Sequence, residues 1–394
     1  MEENFKNSNS FSRKGVECEQ CGKQLKSGEK FCPSCGSKAT EIKNADFKES
    51  GESGTMQGFD AMFKNLRNDQ PIDLLLKFRV FLIVAALIIF GSIFARYFLT
   101  FRNIGNLIRQ IPMYAIPAAG LCVVMLTGGV DLSVGAVMGF VGAVTAIMAN
   151  GNISIIFILP AAVIIGVIIG AINGVLVSQC KLHPVIITLG TQFIFRGASF
   201  LLLDGRNIPI HSRALRALGQ GSLLYIIPYS LIVTAFVYAL AFGLVFALSS
   251  PQKRYDRYLF AAEGDVNAAK PPDADVSSSS KMLAYMSCGV FAAIAGVLMV
   301  SRMSAAIPSL GIGYEMYAIA AVVIGGTSLR SGEDRDFFAI ICSFGGALVI
   351  VLLSNIVALL NISPYAQNLI MGIVLILAAL LTLLNPRANR VKSW

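Results

Sequence analysis

From Arg79 onward the chain is a succession of apolar runs, each about as long as a bilayer core is thick, separated by short polar stretches. Run by run, the pattern predicts helices over 79–99, 110–127, 133–149, 153–178, 184–203, 223–248, 282–301, 316–328, 337–360 and 364–384. The expected fold class is therefore an all-α polytopic membrane protein with about ten transmembrane helices. The run 316–328 is too short to cross alone unless Gly311–Tyr314 extends it. Before Arg79 the pattern changes: residues 1–78 are polar and rich in Lys, Glu, Asn, Ser and Gly. Met1–Lys30 has no apolar core of a signal peptide, so no cleaved secretory signal is expected. Gly166, Gly170 and Gly174, and likewise Gly135 and Gly139, recur at four-residue spacing and predict close helix–helix contact within a compact bundle.

Composition supports the membrane reading. Hydrophobic residues make up 55% of the chain and charged residues only 14%, against about 25% charged in a soluble domain. The net charge of +9 invites a nucleic-acid partner. The Lys and Arg side chains, however, concentrate in the polar head and the short loops, as membrane topology alone requires, so no nucleic acid is expected. The loop Ser249–Lys281 holds Lys253, Arg254, Arg257, Lys270 and Lys281, and the tail holds Arg387, Arg390 and Lys392. Both are expected on the cytoplasmic side of the cell membrane, and an even number of spans puts the N- and C-termini there together. Arg96, Arg102, Arg109, Arg206, Arg213 and Arg216 would then lie outside, so the bias is modest.

The eight cysteines fall into two groups. Cys18-Glu-Gln-Cys21-Gly and Cys32-Pro-Ser-Cys35-Gly are two CxxC knuckles, each followed by a glycine that suits a tight turn. Four thiolates at this spacing suit one tetrahedral Zn²⁺, and a module this short draws its folding energy from the metal. Residues 15–38 read as a small zinc ribbon with structural zinc on Cys18, Cys21, Cys32 and Cys35; a redox dithiol pair is the alternative. Residues 39–77 read as a flexible linker. Cys122, Cys180, Cys288 and Cys342 stand singly and read as small packing residues.

Two stretches of the membrane region carry unusual polarity. Leu126-Thr-Gly-Gly-Val-Asp-Leu-Ser-Val-Gly-Ala-Val-Met-Gly139 sets Asp131 between two apolar runs, after Gly128 and Gly129. Asp131 and Ser133 either accept backbone N–H bonds at the start of the next helix, or place polar groups near a translocation path; both can hold. The second stretch, Ser309–Ser328, carries Tyr314, Glu315, Tyr317 and a short apolar core closed by Gly325, Gly326 and Thr327. It suits a re-entrant or broken helix packed inside protein, or an interfacial anchor made by the tyrosines.

Together with His183-Pro-Val-Ile-Ile-Thr-Leu-Gly190, Phe195-Arg-Gly197 and Asp204-Gly-Arg-Asn-Ile-Pro209, these stretches resemble the membrane permease subunits of ribose-type sugar ABC importers, over about residues 78–386. The resemblance implies a permease domain that pairs with a second permease chain, as homo- or heterodimer. It further implies an ABC ATPase subunit on the cytoplasmic face and an extracellular solute-binding protein that delivers a sugar or similar small polar solute. No bond chemistry is expected of such a subunit. The sequence agrees: no Gly-x-x-x-x-Gly-Lys-Ser/Thr loop is present, so another chain must hydrolyse the ATP.

Two turns depart from the family pattern. The ATPase-coupling loop reads Ala262-Glu-Gly-Asp-Val-Asn-Ala-Ala-Lys-Pro-Pro, in which Glu263, Gly264, Asn267, Ala268 and Ala269 are the expected contact residues and Pro271-Pro272 must end any helix. After Thr327-Ser-Leu, Arg330-Ser-Gly-Glu-Asp-Arg-Asp336 replaces a glycine-rich turn. These changes allow an alternative, a degenerate permease acting as a regulatory or heterodimer partner without coupling of its own. An ion-coupled carrier is disfavoured, because Asp131 and Glu315 are nearly alone as intramembrane acids.

Overall fold

The computed structural model of the chain describes residues 16–17, 24–25, 79–223, 227–248, 278–326, 338–363, 366, 369, 370, 372, 373 and 376. The chain divides into two compact units, Met1–Asn68 and Asp69–Trp394. In the first, Val16–Glu17 (β1) and Gln24–Leu25 (β2) pair antiparallel, Val16 opposite Leu25 and Glu17 opposite Gln24. Cys18, Cys21, Cys32, Cys35 and the expected linker 39–77 lie outside the described residues.

The second unit is helical. Its helices are Arg79–Phe94 (α1), Phe101–Leu126 (α2), Val134–Asn150 (α3), Ile155–Ser178 (α4), Pro184–Leu202 (α5), Arg213–Gln220 (α6), Tyr229–Leu248 (α7), Ser278–Met303 (α8), Tyr314–Ile324 (α9) and Phe338–Leu359 (α10). Short pairings join Ile208–Pro209 (β3) to Ala305–Ala306 (β6), and Ser222–Leu223 (β4) to Ile227–Pro228 (β5). Among the described residues six helices are long and apolar enough to span a bilayer; α1, α3 and α9 are apolar but shorter.

The glycine stripe of α4 packs helix on helix as expected, whereas Gly135 and Gly139 of α3 meet the non-helical backbone of Leu310 and Gly311 and the Glu315 carboxylate instead. A Cβ on Gly166, Gly170 or Gly174 of α4 would run into Gly289, into Tyr285 and Met286, or into Met282, so α4 and α8 lie antiparallel with backbones nearly touching. Gly296 of α8 abuts Met138 of α3, and Gly142 abuts Val300, which makes those two helices parallel. Gly325 meets Cys342 while Gly346 meets Ala321, so α9 and α10 are antiparallel.

Several helix boundaries differ from the hydropathy pattern: α1 ends at Phe94 rather than 99, α8 starts at Ser278 rather than 282, and α9 runs Tyr314–Ile324 rather than 316–328. α2 begins at Phe101 rather than at 110, because Thr100 caps it by accepting the Asn103 N–H at 3.4 Å. Its polar first turn is held by a reciprocal amide pair, Asn103 with Asn355 of α10, at 3.0 and 2.8 Å. The run 223–248 opens with the β4–β5 turn, and α7 starts only after Pro228. The short helix α6 goes unseen in the pattern. It has one buried apolar anchor, Leu215, and a Ser212 cap accepting the Leu215 N–H at 3.4 Å. Cys122, Cys288 and Cys342 are buried packing residues as expected, but Cys180 is exposed, in the turn beyond the end of α4.

Candidate functional site

α2 ends at Leu126 in a turn that only glycine makes without strain. The Gly128 N–H donates to the Met125 carbonyl and the Gly129 N–H to that of Val124, at 2.9 and 3.2 Å, with Gly128 at φ +78°. Gly129 lies against the Tyr285 ring, whose hydroxyl donates to the Val130 carbonyl at 3.2 Å. Asp131, only 1% exposed, follows directly. Its Oδ1 accepts the Ser133 backbone N–H at 2.9 Å and the Ser133 hydroxyl at 2.6 Å. Asp131 thus takes the backbone N–H just before α3, which meets the capping expectation only in part. Ser133, which occupies the cap position itself, makes no side-chain cap bond. Its hydroxyl turns sideways and accepts from Asn173 Nδ2 at 3.0 Å, and Asn173 Oδ1 accepts the Thr191 hydroxyl at 2.6 Å.

The second polar stretch holds a short helix behind an irregular lead-in. The Ser304 carbonyl, at the end of α8, accepts the Ile210 N–H at 2.8 Å, and β6 pairs with β3. After Ala306 the chain runs without regular structure to Gly313, the left-handed N-terminal cap of α9 at φ +83°. The eleven residues of α9 rise about 16 Å, half a bilayer core, and finish at Gly325 against the first turns of α10. A short helix packed inside protein, as the first of the two expectations requires, is what this stretch forms: Glu315, Ala318 and Ala320–Ile324 are buried. Tyr314 stacks on Tyr114, midway along α2, and Tyr317 meets the same ring edge-on, with ring centroids 5.1 and 5.5 Å away.

Gly135 and Gly139, one turn apart on α3, make room for this stretch. The Leu310 carbonyl lies on Gly139, and the Gly311 carbonyl and the Glu315 carboxylate lie on Gly135, where any Cβ would overlap them. Glu315 is 7% exposed; its Oε1 accepts from Gln192 Nε2 at 3.0 Å and from the Gly313 N–H at 3.2 Å. Arg196 donates through Nη1 to the Leu310 carbonyl. Neither Glu315 Oε2 nor Arg196 Nη2 has a hydrogen-bond partner among the described residues, and both atoms are buried.

The two motifs, nearly two hundred residues apart, are therefore joined through α5. Thr191 reaches the Asp131 side of the belt, Gln192 reaches Glu315, and Arg196 reaches Leu310. Asn173, Thr191, Gln192 and Arg196 are not among the residues the sequence singles out. One signal for Asn173 is present: it is the single amide within the apolar run Ile155–Ser178, and such a group inside a membrane demands a partner. Gly325 packs on the Cys342 backbone and Gly326 adopts φ +100°, while Thr327 and the loop residues Glu263, Gly264, Asn267, Ala268 and Ala269 lie outside the described residues. Among the described residues no His, Cys, Asp and Glu side chains cluster to hold a metal. The belt's chemistry is positional: buried polar groups tie the irregular backbone of two turns to neighbouring helices.

A bundle of apolar helices with a short internal helix and a buried polar belt suits a membrane transport protein. Residues 103–379 match the family described as "Branched-chain amino acid transport system / permease component". The chain belongs to this family of multi-pass membrane permeases, and so is a transport component rather than an enzyme. It is 34% identical over 324 residues to a ribose import permease protein of Haemophilus influenzae, covering 81% of this chain and 97% of that one. It is 34% identical to a D-allose transport system permease protein of Escherichia coli, covering 77% and 91% of the two chains. An L-arabinose transport system permease protein of Escherichia coli is 30% identical, over 80% and 92%. No solved structure gives a significant match.

Proposed function

We propose that the chain is the permease subunit of an ABC importer that moves a sugar, or a small polyhydroxylated solute like one, into the cell. The observation that carries this is the near-complete coverage of the ribose, allose and arabinose permeases. The family description names branched-chain amino acids. Three relatives whose names give sugar transport agree along most of their length, which favours the sugar reading. The partners in this reading are an ATPase subunit, an extracellular binding protein and a second permease chain. Gly128, Gly129, Asp131, Ser133, Tyr314, Glu315, Gly325, Gly326 and Thr327 form or flank the path. Deleting the chain from a strain without a second such permease should abolish ATP-dependent uptake of labelled ribose, allose and arabinose; unchanged uptake of every small polar solute tried would refute the function.

In the same reading ten spans, the last over 364–384, place both termini and the turns 263–280 and 330–336 on the cytoplasmic side. Glu263, Gly264, Asn267, Ala268 and Ala269 contact the ATPase. Residues 15–38 form a zinc ribbon joined by the linker 39–77 to the permease domain, 78–386. The antiparallel pairing of β1 with β2, directly flanking Cys18 and Cys21 in sequence, supports the ribbon. Pro271-Pro272 and the charged Arg330–Asp336 keep the second reading open, a partner chain that does not itself couple. Co-purification of an ATPase that is lost on replacing 263–269 separates the two.

A further inference from the structure

Glu315 and Arg196 present an unusual pair of loose ends. Each is tied down by one half: Oε1 of Glu315 to Gln192 and Gly313, Nη1 of Arg196 to the Leu310 carbonyl. The other half of each, Oε2 and Nη2, is buried without a partner among the described residues. One is an anionic acceptor and the other a cationic donor. Leaving either unsatisfied inside a membrane bundle is costly, and each is what the other lacks. They stand at the same notch, Glu315 on Gly135 and Arg196 near Gly139. Those glycines lie one turn apart on the same helix, so a shift of α9 along this face of α3 would bring the two charges together.

The element that carries Glu315 is built to make such a shift. α9 is bounded by glycines with left-handed backbone, Gly311 and Gly313 before it and Gly326 after it, at φ +76°, +83° and +100°. Residues of this kind absorb the dihedral change of a hinge. α5, which carries Arg196 and Gln192, is continuous from Pro184 to Leu202.

We propose that Arg196 and Glu315 are two halves of a switch, apart in the arrangement seen here and closed into an ion pair when α9 swings on its flanking glycines during transport. Gln192 and the Leu310 carbonyl hold the open arrangement; the ion pair holds the closed one. The two states then differ in which partner each charge takes, and α9 is the bistable element that both bias. The switch rests on the transporter reading given above.

The test uses the permease reconstituted with its ATPase and binding protein in proteoliposomes, with labelled ribose as the probe. Glu315→Gln and Arg196→Gln should each lower the turnover of uptake about tenfold with little change in KM, the double variant should be no worse than either single one, and Arg196→Lys should recover part of the loss. Multiplicative losses in the double variant, or normal turnover in the singles, overturn the switch. Should the Gln variants fail to assemble, an Arg196→Cys/Glu315→Cys pair bridged by a short bifunctional reagent reads the same motion. Cross-link yield should differ severalfold between nucleotide-free and vanadate-trapped complexes, and equal yield in the two overturns the proposal. Absence of ribose uptake by the wild-type complex would instead count against the sugar function, leaving the cross-link comparison to decide the switch.

Discussion

Replacing Asn173 by Ala tests whether the polar belt is a single coupled unit. The side chain is fully buried in α4, donates to Ser133 at 3.0 Å and accepts from Thr191 at 2.6 Å. Hydrogen bonds between helices in membrane bundles average about 0.6 kcal/mol and reach about 1.7. Losing two, with a small void and a polar group left unpaired, amounts to about 2–4 kcal/mol. Thr191 limits the damage, since a helical threonine hydroxyl can fall back on a carbonyl of its own helix, as Thr188 does with Pro184 at 2.9 Å. The expected result in detergent, followed by fluorescence-detected size exclusion after heating, is a midpoint lower by about 5–10 °C. The sharper measurement is the cycle of Asn173→Ala, Thr191→Val and both together, with an expected coupling of about 1 kcal/mol. If the two losses simply add, within about 0.4 kcal/mol, the belt is a set of independent contacts and the reasoning fails.

Gly170→Leu should prevent α4 and α8 from meeting, because the new side chain starts on the Tyr285 and Met286 backbone; Gly197→Ala on α5, where nothing lies within 4 Å, should leave yield and elution profile unchanged. In the lead-in to α9, Gly311→Ala combines left-handed strain with overlap on Gly135 and should abolish a folded elution peak, whereas Gly313→Ala carries the strain almost alone and should cost only about 1–2 kcal/mol of stability, a modest drop in the midpoint. If the ribbon is right, elemental analysis of the purified full chain should find one zinc per chain, lost in a Cys18→Ser/Cys21→Ser variant; equal zinc in both would dismiss it.

Much of this protein was legible in one dimension. Apolar runs of bilayer length announce membrane helices, and glycines at four-residue spacing announce which faces come together, because both depend on residues close in sequence. Gly128 likewise marks a break, since a left-handed backbone is a local demand, whereas Gly311 and Gly313, which the sequence offered as an extension of the short run, take that backbone and stop the helix at Tyr314. Hydropathy misplaced the start of α2 and passed over α6 for a matching reason. Asn103 lowers the local average, yet it is satisfied by Asn355 on another helix, and α6 is too short for its single buried leucine to form a pattern. The joining of Asp131 to Asn173 and Thr191, and of Glu315 to Gln192, belongs to the tertiary structure alone. A polar side chain inside a membrane must find a partner, and sequence states that need, but which helix supplies the partner depends on how the bundle is wound.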